Sequence, residues 1–97
     1  MRNKIADYLE KDGVKYSYQG FRLLVDAIEM ASKMGMEIRI CEIYNALAFK
    51  YGTTTARVDR NIRHAIDSAG YTVNNKEYVA KAVFQLEQMG NGHDQTL

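Results

Sequence analysis

No proline occurs in the 97 residues, and this absence limits the fold more than any other feature of the sequence. Proline is the strongest helix breaker, and without it the helices are expected to end at the seven glycines. The segments between them have helical length and apolar residues at helical spacing. The sequence therefore predicts an all-α fold, with a single compact domain of about five helices over residues 1–89 and a disordered polar tail at 90–97.

Composition excludes several classes of protein. The single cysteine, Cys41, rules out an internal disulfide and a zinc site made of four cysteines. No apolar run approaches the roughly 18 residues that a membrane span requires, and the residues after Met1 do not form an apolar signal core. We therefore expect a cytoplasmic protein without a membrane partner, and no metal or cofactor is expected.

The second predicted helix is the most apolar of the five. Its charged residues occur at i, i+4, i+7 and i+11, so most of its circumference should be buried and it should be the central helix. Within the charged stripe, the pairs Arg22–Asp26 and Glu29–Lys33 are expected to attract each other. The five predicted helices are Arg2–Lys11, Phe21–Met34, Cys41–Tyr51, Thr55–Ala69 and Asn75–Met89.

Two connections between the helices carry further expectations. Tyr16 and Tyr18 precede the second helix, and their rings are expected to lie on the core. Met36, Ile38 and Ile40 alternate with polar residues, as in a short strand. Since a lone strand has no partner, this segment is predicted to be an extended lead-in to the third helix.

Residues 41–69 have the pattern of a helix-turn-helix unit. Ala48 and Gly52 stand four residues apart, as a small residue and a turn glycine do where two helices cross closely. Thr54 is expected to cap the second helix of the unit, because its hydroxyl can accept a hydrogen bond from a free backbone N–H. Gly70 is expected to end that helix in the left-handed conformation.

The second helix of this unit has a basic exposed face. A helical wheel places Arg57, Arg60 and His64 opposite the apolar stripe, with Arg63 at the flank. The formal net charge of the chain is only +1, yet residues 50–63 contain four basic residues and one acidic residue. Arginine is the side chain that most often reads guanine in the major groove. An exposed arginine-rich face is also common as a plain solvated surface, so the face alone leaves both interpretations open.

The run from Lys50 to Asp67, KYGTTTARVDRNIRHAID, resembles the C-terminal DNA-binding effector domain of the sporulation initiation response regulator, the stage-zero sporulation protein A family. That family reads Lys-Tyr-Asn-Thr-Thr, then Arg-Val-Glu-Arg, then Ile-Arg-His-Ala-Ile-Glu. Residues 5–13 and 20–28 resemble the first and second helices of the family. The resemblance covers residues 4–87.

The resemblance implies a bacterial transcription regulator that binds double-stranded DNA, with helix 55–69 in the major groove. It also implies base contacts by an acidic residue, two arginines and a histidine, here Asp59, Arg60, Arg63 and His64. The wheel adds Arg57, and the helix start suits phosphate contacts. The expected DNA-binding residues are Lys50, Thr53, Thr54, Arg57, Asp59, Arg60, Arg63 and His64.

The sequence departs from the family pattern at three places. Asp59 replaces a glutamate, Asn45 stands where proline is common, and residues 70–74 replace a longer insertion with an extra helix. That insertion offers surface for dimer or RNA polymerase contacts. The chain also has no room for the receiver domain of the family, so phosphorylation control is not expected unless the chain is part of a longer regulator.

These departures leave two hypotheses. In the first, the protein binds double-stranded DNA, with a homodimer on DNA and contact with RNA polymerase as further expected partners. In the second, it is a protein-interaction or adaptor module of the same fold that has lost DNA binding. An enzyme is not expected, because the sequence has no phosphate-binding glycine loop, no nucleophile elbow and no cluster of histidines and cysteines.

Overall fold

The computed structural model describes residues 2–35 and 37–95, with side chains as far as Met89. Within these ranges the chain forms five helices and no strand, which confirms the predicted all-α fold. The helices are α1 (Arg2–Lys11), α2 (Gln19–Ser32), α3 (Ile40–Tyr51), α4 (Thr55–Ser68) and α5 (Asn75–Gln95).

Three helix ends differ by two or more residues from the prediction, and one of them is the end of α2 at Ser32 rather than Met34. α2 begins at Gln19 rather than Phe21, because the extended backbone of Tyr18 (φ −77°, ψ 141°) leads directly into the first turn. α5 continues to Gln95 rather than ending near Met89. Glycine weakens a helix without stopping it as proline does, so Gly90 and Gly92 lie within α5. Residues 96–97 of the predicted tail lie outside the described residues.

α2 lies at the centre of the domain and contacts each of the other four helices. Its residues Leu24, Ala27 and Ile28 are completely buried. The prediction of a central second helix is therefore confirmed. The core around it is completed by fully buried side chains from the other helices, among them Ile5, Leu9, Ile43, Val58, Ile62, Tyr78 and Val79.

α2 crosses α4 at Gly20, where the two backbones nearly touch. A methyl group on Gly20 would lie 2.7 Å from the carbonyl carbon of Asn61 and 2.9 Å from Cβ of Ala65. Both distances are shorter than ordinary van der Waals contact. Only glycine therefore allows this approach, which fixes the first turn of the central helix against α4.

Asp26 is buried and joins three helices, which contradicts the predicted surface pair with Arg22. Its carboxylate is only 3% exposed and accepts hydrogen bonds from Arg2 of α1, and from Lys50 and Tyr51 of α3. The Lys50 Nζ–Asp26 Oδ2 distance is 3.1 Å. Spacing along one helix could not reveal these partners, because they come from distant parts of the chain.

Glu29 also differs from its predicted pairing. It lies 3.1 Å from the guanidinium of Arg2, and no ion pair with Lys33 is formed in the described part of the chain. Arg2 of α1 therefore forms ion pairs with both acidic residues of α2.

The prediction that Tyr16 and Tyr18 lie on the core is wrong. Their side chains are 74% and 41% exposed. Val14 and Phe21 occupy the adjoining core positions instead, and the ring of Tyr16 rests edge-on against Phe21 at a centroid distance of 6.2 Å. The connection between α1 and α2 thus presents aromatic side chains to solvent.

The connection between α4 and α5 is short and is held to the end of α1. The hydroxyls of Tyr71 and Tyr78 each donate to one carboxylate oxygen of Asp12, both at 2.7 Å. Burial and the neighbouring Asp12 carboxylate raise the pKa of Tyr78. These contacts close the fold across residues 70–74.

We expect Gly20→Ala to destabilise the protein by about 3 kcal/mol, because the added methyl group forces α2 and α4 apart. Urea unfolding followed by circular dichroism measures the loss. The neighbouring variant Gln19→Ala serves as the control and should remain within about 0.5 kcal/mol of the wild type. Equal stability of the two variants would show that the crossing tolerates a side chain.

The Asp26 network predicts a specific pH dependence of stability. Burial alone raises the pKa of Asp26, but hydrogen bonds from Tyr51, Arg2 and Lys50 outweigh it and hold the pKa below the ordinary 3.8. The network therefore stabilises the folded state at neutral pH, and this stabilisation is lost as the pH falls through the folded-state pKa.

We expect Asp26→Asn to lower the free energy of unfolding by about 2 kcal/mol at pH 7, with a gap to the wild type that narrows below about pH 4. Urea midpoints measured across this pH range check both parts. Glu29→Gln is the control, since it removes a more exposed partner of Arg2 and should cost less than about 1 kcal/mol. A gap that stays constant down to pH 2 would contradict the role of the Asp26 carboxylate.

Candidate nucleic-acid interface

The turn between α3 and α4 is defined by Gly52. Its backbone is left-handed, with φ of +63°, and its N–H donates to the Phe49 carbonyl at 3.4 Å. The N–H of Thr53 donates to the Ala48 carbonyl at 2.9 Å. This pair of hydrogen bonds is the Schellman arrangement that ends a helix at glycine. It confirms the predicted role of the turn and sets the direction in which α4 leaves.

Thr54 caps α4, as the sequence predicted. Its backbone is extended, and its Oγ1 accepts a hydrogen bond from the backbone N–H of Arg57 at 3.2 Å. At the other end, Gly70 has φ of +88°, which confirms the predicted left-handed ending. Both ends of α4 are therefore fixed by local sequence, and the side chains that it presents are set by its helical phase.

One face of α4 is buried and the opposite face is basic. Val58, Ile62 and Ala65 are completely buried. The basic side chains on the other side are all exposed, and in the part of the chain that the structure describes none of them forms an ion pair. We call this face the α4 ridge; it consists of Arg57, Arg60, Arg63 and His64.

The α4 ridge is thus free to bind an external anion or hydrogen-bond acceptor. An arginine that forms no ion pair with a carboxylate of its own chain can donate hydrogen bonds from its five N–H groups to a bound partner. Thr53 and Thr54 lie immediately before the ridge, at the N-terminus of α4, where helix polarity also favours negative charge. The structure therefore places four of the eight predicted site residues on one exposed face of α4 and two more, Thr53 and Thr54, just before its first turn.

Asp59 lies at the margin of the ridge and is half-buried. The side-chain amide of Asn75 donates to its Oδ1 and to its backbone carbonyl, both at 3.1 Å. The same amide donates to the hydroxyl of Tyr44 at 2.8 Å, and burial raises the pKa of that hydroxyl to about 12. Asp59 thus also holds α4 against α3 and α5.

Asn75 was not singled out by the sequence, although it is only 4% exposed. The cap of α5 is the neighbouring Asn74, whose Oδ1 accepts a hydrogen bond from the Glu77 N–H at 2.8 Å, so capping chemistry does not mark Asn75. Only the tertiary structure shows that it reaches across to α3 and α4.

Lys50 stands apart from the other predicted residues. Its ammonium group is directed to the buried Asp26 and lies 5.3 Å from the centre of the Tyr51 ring. The side chain is nevertheless 57% exposed. Lys50 is therefore anchored at the end of α3, with part of its surface open to solvent.

A groove with a volume of about 540 Å³ lies beside α4 and was not predicted. It runs between the α1–α2 connection and the turn of the helix-turn-helix unit. We call it the flank groove; its lining includes Tyr16, Tyr18, Arg22, Tyr51, Thr53 and Asn61. Sequence patterns miss such a feature because its walls come from three separate segments.

The described residues contain no group of three His, Cys, Asp or Glu side chains that could hold a metal ion. No helix in this part of the chain is both long enough and apolar enough to cross a membrane.

The chain was compared with models of known protein families. The family model described as "Sporulation initiation factor Spo0A C terminal" matches residues 5–94. The matched range contains the whole helix-turn-helix unit, the α4 ridge and the flank groove.

Proposed function

Since the chain belongs to the family of the Spo0A C-terminal domain, whose members are DNA-binding regulators of sporulation rather than enzymes, we propose that it is a sequence-specific transcription regulator. It binds double-stranded DNA with α4 in the major groove. The observation that carries the proposal is the α4 ridge, because its arginines are exposed and form no ion pair with an acidic side chain among the described residues.

Each residue of the ridge has a distinct part in the proposal. Arg57, Arg60 and His64 face the base edges, and an arginine that meets a guanine donates to both O6 and N7. Arg63 stands at the flank, where it contacts a base or a phosphate. Asp59 is included because of the family resemblance, with Asn75 fixing one of its carboxylate oxygens.

The residues at the start of α4 contact phosphate groups of the DNA. Thr53 and Thr54 offer hydroxyl and backbone donors at a helix N-terminus, which is a favourable place for an anion. Lys50 adds a cation, although Asp26 competes for it. These contacts set the position of the protein on the duplex, while the ridge supplies the base preference.

A single module of this size has a small interface with DNA, so a homodimer on the DNA or tandem sites belong to the proposal. Contact with RNA polymerase is a further part of it, as is a cytoplasmic location in a bacterium, where such DNA lies.

A second candidate function is that of an adaptor that keeps the fold without binding DNA. The observation that favours it is Phe49, which is 91% exposed on α3. Gel-shift titration with random-sequence duplex at low salt separates the two functions. Retardation at micromolar protein or below is expected for the DNA binder, and its complete absence would leave the adaptor.

We expect Arg60→Ala to weaken binding to a duplex selected from a random pool by about 1–3 kcal/mol and to relax the preference at one base position. Competition binding against random-sequence duplex measures both effects. Arg60→Lys is the matched control, since it keeps the charge and loses the two-pronged contact. It should retain affinity for random duplex and lose most of the preference. Unchanged affinity of Arg60→Ala for the selected duplex would contradict the proposed docking.

A further inference from the structure

The flank groove has no part in the base contacts proposed above, yet it adjoins them. We infer that it receives the sugar–phosphate backbone of the DNA strand that borders the major groove, with Arg22 as its phosphate contact. This inference rests on the proposed function and extends it to a second element, α2.

The position of the groove follows from two residues that it shares with α4. Thr53 lies immediately before α4, and Asn61 lies one helical turn after Arg57, on the side of α4 that faces α2. The major groove is about 12 Å wide, so a helix within it has a phosphate backbone along each flank. With the α4 ridge toward the bases, the flank groove faces one of these backbones.

The Gly20 contact keeps the groove at this place. Because the backbone of α2 rests on the Asn61 carbonyl, the first turn of α2 cannot move relative to α4. Arg22 belongs to this same turn. The backbone that carries its side chain is therefore fixed relative to the ridge, as a phosphate contact that sets register requires.

The positive charge and the hydrogen-bond donors of the groove suit the phosphate groups of a DNA backbone. From Gly13 to Val25 the sequence contains two cations, Lys15 and Arg22, and no acidic residue. Arg22 is exposed and forms no ion pair within the described ranges, since the nearby Asp26 is used by Arg2 and Lys50.

The rest of the lining supplies neutral donors without a competing carboxylate. Tyr16, Tyr18, Thr53 and Asn61 offer hydroxyl or amide groups, of the kind that commonly contact phosphate oxygens. The exposure of Tyr16 and Tyr18, which a core position would not explain, is consistent with such a contact surface. If the groove binds a peptide instead of DNA, Arg22→Ala should lose a protein partner and keep its affinity for DNA.

The test measures the affinity of the full chain for the selected duplex and for a random duplex between about 50 and 200 mM salt. Arg22→Ala should weaken binding several-fold and equally on both duplexes, and should reduce the slope of log K against log salt by about 1. Lys33→Ala is the matched control, because it removes one exposed cation at the other end of α2. It should leave affinity and slope unchanged.

Two further measurements sharpen the assignment. Arg22→Lys should restore most of the salt slope, since it returns the charge. Ethylation interference should reveal a phosphate whose modification weakens the wild type and leaves Arg22→Ala unaffected. Thermal unfolding verifies that each variant is folded, and Arg22→Gln takes the place of the alanine variant if that variant unfolds.

Three results would overturn the inference. The first is binding by Arg22→Ala that equals that of Lys33→Ala. The second is a loss of affinity by Arg22→Ala for the selected duplex alone, which would indicate a base contact. The third is unaltered DNA binding by Arg22→Ala together with loss of a bound protein partner. If the wild type does not bind DNA at all, both the proposed function and this inference are wrong. If Arg60→Ala weakens binding and Arg22→Ala does not, only this inference fails.

Discussion

The contact between Gly20 and the backbone of α4 is the constraint on which the arrangement of this domain depends. It lets the central helix approach α4 at Asn61 and Ala65 without a side chain between them. The buried face of α4 is then covered by the core, and its basic face is turned outward. Asn61, which Gly20 contacts, also lines the flank groove. A single missing side chain thus positions both the α4 ridge and the surface beside it.

Two polar junctions fix the helix-turn-helix unit on this core. Asp26 connects the centre of the domain with the end of α3, and Asn75 connects α3 and α4 with α5. Such junctions are directional, because a buried polar group is stabilised only when its partners are correctly placed. They therefore specify how the unit sits, whereas apolar burial alone would permit several orientations. Asp26 also pairs with Lys50, whereas the three arginines of α4 form no ion pair among the described residues.

The candidate interface was predictable wherever local chemistry decides the outcome. The cap at Thr54, the left-handed turn at Gly52 and the phase of the α4 ridge all follow from neighbouring residues. The spacing along α2 predicts an exposed pair of Arg22 and Asp26, and this prediction is wrong, because the partners of Asp26 come from α1 and α3. Spacing along one helix shows which residues share a face. It does not show which face another helix will cover.

The sequence by itself determined the helical content, the central place of the second helix, the helix-turn-helix unit and the family. Each of these is encoded in short-range patterns: apolar residues at helical spacing, glycines at helix ends and an unbroken run from Lys50 to Asp67. Only the tertiary structure decided that Tyr16 and Tyr18 are exposed, that Asp26 is buried, and that Arg22 shares a groove with Thr53 and Asn61. The physical reason is that these features depend on contacts between residues far apart in the chain, and those contacts exist only after the helices have assembled.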